Sequence, residues 1–257
     1  MAWKSFPFPE KAYAYSGAAL QKHWARLHRG DCEPFPAEPE VQDAWRRYHA
    51  GDFEEAVESG LACGLAGYNA ANKAAAIYAN YLETDDERKC LLLMEVARRC
   101  EEQQEKTPGD ANCWYLHAYA LGRYSQSISV VKALAQGLGS KIKQSLTQAL
   151  ELEPRHADAH VALGAYHAEV IDKVGALVGG VTYGAKKSTG NDLLEAALKL
   201  NPDSAIARIE YANALVMMFG KARMKDAERL YEEAAKITPM DAMERLDVEA
   251  ARAELAD

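Results

Sequence analysis

Gln148-Ala149-Leu150-Glu151-Leu152-Glu153-Pro154 returns as Ala196-Ala197-Leu198-Lys199-Leu200-Asn201-Pro202, and again as Glu233-Ala234-Ala235-Lys236-Ile237-Thr238-Pro239. A degenerate copy, Glu105-Lys106-Thr107-Pro108, precedes them. Each copy ends in a proline, which stops a helix because its ring clashes with the preceding turn and it donates no hydrogen bond. Three residues after each proline an alanine opens the next helical stretch, at Ala111, Ala157, Ala205 and Ala242. The prolines lie 46, 48 and 37 residues apart. Recurrence on this scale marks a helical array, in which one helix pair cannot cover its own apolar face and must stack on the next.

Composition supports helix along the whole chain. Of 257 residues, 47 are Ala, against 25 for Val, Ile and Thr together. Ala loses no side-chain entropy in a helix, whereas β-branched residues do. The net charge of −8 is uneven: residues 1–110 carry −6, residues 111–190 carry +3 and residues 191–257 carry −5. An acidic chain is a poor non-specific ligand for nucleic acid, so no nucleic-acid partner is expected, and the positive centre suits an acidic one. Cys32, Cys63, Cys90, Cys100 and Cys113 are odd in number and lack CxxC spacing. They read as reduced thiols of a cytoplasmic protein. The start, Met1-Ala2-Trp3-Lys4-Ser5-Phe6-Pro7, lacks the charged and apolar regions of a signal peptide, and no stretch is long and apolar enough to span a membrane.

The N-terminal half is less regular. An amphipathic helix is expected from about Pro9 to His28, stopped by Gly30-Asp31. Cys32 to Pro39 holds three prolines in eight residues and reads as a linker. Residues 1–38 thus form an N-terminal helix with a Pro-rich linker, and residues 39–257 the repeat domain. Gly51-Asp52 separates two helical patterns, and Thr84-Asp85-Asp86-Glu87 is a capping-box signature for a helix to about Glu105.

These features resemble the tetratricopeptide repeat (TPR), a 34-residue unit carrying an aromatic, then Leu-Gly, then Gly-Asp-aromatic, an Ala and a closing Pro. Trp114 stands at the first aromatic, Leu163-Gly164 and Tyr211-Ala212 at the Leu-Gly pair, and Gly51-Asp52-Phe53 with Ala56 at the mid-repeat turn. Ala149, Ala197 and Ala234 fit the small position of the second helix. The resemblance implies an all-α fold, an α-solenoid of irregular TPR-like helical hairpins with eleven or twelve helices, capped by Asp241 to Leu255. Two units exceed 34 residues, through inserts at Ser125–Ser140 and Ile171–Ser188. Long inserts of this kind are similar to the regulator-of-microtubule-dynamics family and to the T-component (TRAP-transporter) proteins of bacterial substrate-binding transporters. The apolar run Val174 to Tyr183 is expected to cover a seam between helices, with an interfacial membrane contact as the alternative.

Candidate chemistry is sparse. His156, His160 and His167 have helical spacing, but HExxH is missing its Glu, and Cys113 with His117 has no third ligand. No metal site is expected. Gly179 to Thr189 superficially resembles a phosphate loop, yet its Lys does not follow the last Gly and no strand precedes it. No nucleophile elbow occurs, so neither enzymatic activity nor a cofactor is expected.

In TPR arrays the first helices of successive pairs line a concave groove. The resemblance places Asn112, Tyr115, Tyr119 and Arg123 on that face in one unit. Asp158 and Ala165 follow in the next, then Ile206, Ile209 and Asn213. The function implied is a non-enzymatic scaffold binding a protein or peptide segment there. The alternatives are a small-ligand or transporter-associated binding protein whose inserts close the groove, and an uncharacterised helical enzyme.

Overall fold

A computed structural model describes residues 3–256. Among the described residues it contains fourteen α-helices and no strand. The first five are α1 (Ala19–Leu27), α2 (Pro39–Ala50), α3 (Phe53–Ala62), α4 (Tyr68–Tyr81) and α5 (Asp86–Lys106). The inserted units hold α6 (Ala111–Gln126), α7 (Val130–Ala135), α8 (Leu138–Leu152), α9 (Ala157–Val174), α10 (Ala176–Tyr183) and α11 (Lys187–Leu200). The chain ends with α12 (Ala205–Phe219), α13 (Met224–Ala235) and α14 (Ala242–Glu254). The all-α array stands as expected, and the helices beyond twelve are α7 and α10, one in each insert.

Pairing follows the repeat. α2 packs on α3, α4 on α5, α6 on α8, α9 on α11 and α12 on α13. Ala149, Ala197 and Ala234 are fully buried where these helices meet. At Gly164 the approach is closer still: a Cβ would lie 2.6 Å from Leu194 Cγ and 3.1 Å from the Gly190 carbonyl oxygen. Side-chain caps open the helices after the prolines. Asp110 accepts from the Asn112 amide, His156 from Ala159, Ser204 from Ala207 and Asp241 from Glu244. Each satisfies a first-turn N–H that has no intrahelical partner.

Three local expectations need correction. The helix from Pro9 to His28 is broken into a 3-10 turn at Lys11–Ala14 and α1, with Tyr15 in the left-handed region at φ 42°. Tertiary contact overrides helix propensity here, because the Tyr15 hydroxyl donates to the Met240 carbonyl at 2.6 Å. The capping residue of α5 is Asp85, which accepts from the Arg88 amide, whereas the Thr84 hydroxyl instead accepts from Lys4 Nζ. The run Val174 to Tyr183 covers a seam on one side only. Gly179 is buried against Val170 and Ala185, while Leu177, Val178 and Val181 face outward.

The ends of the array meet. Phe6, Tyr13, Tyr15, Leu20, Trp24 and Leu27 share one core with α2–α4 and with Ala242 and Leu246 of α14. Buried polar contacts join the same surfaces: His49 Nδ1 to Asp241 Oδ2 at 2.8 Å, Arg26 to Glu244 at 2.6 Å and Tyr48 Oη to Met243 Sδ at 2.9 Å. Arg29 and Asp203 add an ion pair at 2.6 Å. The superhelix is thereby closed into a ring.

Candidate functional site

Closure turns the concave face into a partly open cavity of about 980 Å³, its mouth included. Its wall comes from α4, α6, α9, α12 and α14, with Ile142 and Leu146 of α8. Ala76, Ile77, Leu116, Val161, Ala162, Ile206 and Met243 make most of this wall apolar. Such an interior follows from repeat geometry, since every first helix turns one face inward and that face has no neighbour to cover it.

Four of the expected groove residues, Tyr115, Tyr119, Arg123 and Asp158, converge on the cavity, and Ala165 and Ile206 join them. The rings of Tyr115 and Tyr119 are 6.2 Å apart, and the Arg123 guanidinium sits 5.3 Å from the Tyr119 ring. Arg123 also pairs with Glu210 at 2.8 Å. Burial works against its charge, but the Glu210 carboxylate more than offsets this and raises its pKa.

Asn112 and Asn213 do not reach the cavity. Asn112 is buried beneath it, where its Nδ2 donates to the Asp31 carbonyl at 3.0 Å and to Glu33 Oε2 at 2.7 Å. The segment from His28 to Glu33 thus lies across one end of the concave face like a bound peptide. Asn69 Nδ2 donates to Glu33 at 2.9 Å, the Asp158 amide donates to the Gly30 carbonyl at 3.0 Å, and Lys73 forms a buried ion pair with Asp31. Gly30 is required, because a Cβ there would lie 2.3 Å from Asp158 Oδ1. Asn213 turns toward α13, its Oδ1 accepting from the Tyr231 hydroxyl at 2.7 Å. Ile209 packs with Val248 and Ala251 of α14.

Sequence reasoning missed Lys73, Tyr81, Glu210 and Asp247, all in the cavity wall. A lone lysine within the alanine-rich run Ala70–Ala79 was the available signal, since a buried ammonium demands a carboxylate partner. Asp247 carried none.

The carboxyls differ in what holds them. Asp247 is raised well above its ordinary pKa by burial, opposed by the hydrogen bond donated from Tyr81, and raised further by Asp241 and Glu244. Asp158 is pushed up to about 6 by burial, with Lys73 opposing and Asp31 reinforcing the shift. Its side chain has no hydrogen-bond partner among the described residues, packs against Gly30 and lines the cavity.

The histidines are not brought together as ligands. His156 Nδ1 accepts from the Ala159 amide and its Nε2 donates to Asn112 Oδ1, His160 Nδ1 donates to the His156 carbonyl, and His167 Nδ1 accepts from the Lys186 amide. Gly179 and Gly180 lie within α10, which rules out a phosphate loop there. Between the two inserts a second, apolar pocket is lined by Val130, Ala133, Leu134, Val170, Val174 and Tyr183. The inserts therefore pack beside one another next to the main cavity. The N- and C-terminal elements close the ring.

No family model matches the chain, and no curated protein matches it. Among solved structures it is similar to a thermophilic TPR protein from Thermus thermophilus, at 15% identity over 83% of this chain and 97% of that one, with a TM-score of 0.58. It is also similar to a monomeric mutant of IFIT1 with Gppp-AAAA, at 14% identity over 86% of this chain and 56% of that one. That TM-score of 0.44 is too low to carry an argument. No helix among the described residues is long and apolar enough to cross a membrane. At these identities the likeness speaks for the fold alone: the chain folds as a TPR-like array of helical hairpins.

Proposed function

We propose that the protein binds a small, mainly apolar cation in its central cavity and carries out no chemistry on it. The observation behind this reading is that the chain occupies its own concave face, with residues 28–33 across one end and α14 against α2. Extended or helical peptides need a continuous open groove. An apolar cavity with a few polar groups suits a compact molecule. Among the cations of the wall, Lys73 is committed to Asp31 and Arg123 to Glu210, so the acidic partner suggested by net charge finds no free cation among the described residues there. The Asp158 carboxyl has no hydrogen-bond partner among the described residues and lines the cavity, where it can meet a cation. A small-ligand role also suits the transporter T-components that the inserts resemble.

Octylammonium and octanoate are matched probes. Octylammonium is expected to raise the thermal midpoint and give calorimetric binding, with octanoate inert. Its affinity should rise as the pH passes about 6, where Asp158 ionises. Asp158→Asn should weaken it at least about tenfold, the loss of one charge-assisted contact. Equal affinity in that variant, or preference for octanoate, would refute the assignment.

A further inference from the structure

We propose that the two inserts dock the protein on a membrane surface containing anionic lipid. This inference is independent of the cavity's ligand. α10 has no charged residue, and Leu177 and Val181, one turn apart on it, are 81% and 84% exposed. Val131 of α7 is 78% exposed, and Val130 and Leu134 of α7 and Val178 of α10 are exposed as well. The two inserts meet at one pocket, where Val130 and Leu134 of α7 and Tyr183 of α10 form part of the lining. Lys143 of α8 holds the end of α10 by donating to the Tyr183 carbonyl at 2.8 Å. Exposed apolar side chains clustered in this way mark a surface that is covered in use.

Charge identifies the cover. The inserts, residues 125–140 and 171–188, hold four lysines and one aspartate, a net +3, which leaves −11 on the rest of the chain. Lys132, Lys141, Lys186 and Lys187 have no carboxylate within ion-pair distance among the described residues, so their charge is available. A protein partner would need a pocket for each protruding tip and an acidic rim around it. An anionic bilayer surface offers both at once, because apolar tips enter the headgroup–acyl boundary while lysines meet the phosphates. Such contact is peripheral and requires no spanning helix.

The test is sedimentation with vesicles of equal parts phosphatidylcholine and phosphatidylglycerol, against vesicles of phosphatidylcholine alone. Binding is expected only to the mixed vesicles and should fall as sodium chloride is raised. Leu177→Glu with Val181→Glu, and separately Lys186→Glu with Lys187→Glu, should each weaken binding at least about tenfold while the helical spectrum stays unchanged. All four side chains are accessible to solvent, so folding is not at issue. No binding, equal binding to both vesicles, or full binding by either variant would overturn the proposal. So would lipid-free dimers that the Leu177 and Val181 changes dissolve, since the face would then belong to a second copy of the chain.

Discussion

His156, buried at the start of α9, has its pKa lowered to about 4 by burial, and His167 is lowered to about 4 likewise. Each uses Nδ1 as an acceptor for a backbone amide, which protonation would abolish. A base whose pKa falls on folding binds protons less readily folded than unfolded. Its stabilisation is complete above 6.5 and is lost as the pH falls toward 4. Asp158 acts in the opposite sense: raised from 3.8 to about 6, it favours the folded state less as the pH rises across that interval. Asp247, Glu33 and Glu244 are raised as well and act as Asp158 does, whereas His28, lowered to about 4, acts with the two histidines. The contribution of one histidine to the pH dependence of the urea midpoint is therefore isolated by substitution. His156→Asn keeps a capping oxygen but cannot titrate, and should flatten that dependence by on the order of 1 kcal/mol. An unchanged slope would mean that His156 is reached by solvent. Helical period was enough to place Tyr115, Tyr119 and Arg123 on one face, and the repeat resemblance set Asp158 of the next unit beside them. Glu210, in contrast, stands 87 residues from Arg123, and no local pattern could link them.

Between elements, α9 comes close to α11 at Gly164. Leu at this position would drive into Leu194 and the Gly190 carbonyl. Overpacking of this kind costs ~1–3 kcal/mol, and a chain of this size loses ~2–4 °C of thermal midpoint for each kcal/mol. Gly164→Leu should therefore melt several degrees earlier. By contrast, a Cβ at Gly122 of α6 meets nothing, so Gly122→Ala should be neutral or gain up to about 1 kcal/mol from helix propensity. Differential scanning calorimetry of the two variants tests the packing register, and equal midpoints would show it wrong. The helices after the prolines were legible because stop, cap and small-residue signals are local. The break at Tyr15 was not, because its cause lies 225 residues away at Met240.

For the whole molecule, the decisive contact is the one that closes the ring. Asp241 caps α14 by accepting from the Glu244 amide and also holds the Nδ1 proton of buried His49. Burial opposes its charge, yet the hydrogen bond from His49 prevails and its pKa lies below the ordinary value. Asp241→Ala removes a cap and strands a buried donor, for a combined loss of about 2–4 kcal/mol. Hydrogen exchange should then accelerate in α14 while α9 and α11 keep their protection. Uniform acceleration along the chain would mean that closure is not a separable event.

The sequence by itself determined the helices that follow each proline and part of the face they turn inward, because capping, propensity and periodicity act within a few residues. Only the tertiary structure decided that the groove is shut and that residues 28–33 lie inside it. Closure depends on small rotations accumulated over successive hairpins, and on pairs such as His49 and Asp241 that stand 192 residues apart. No local pattern encodes either.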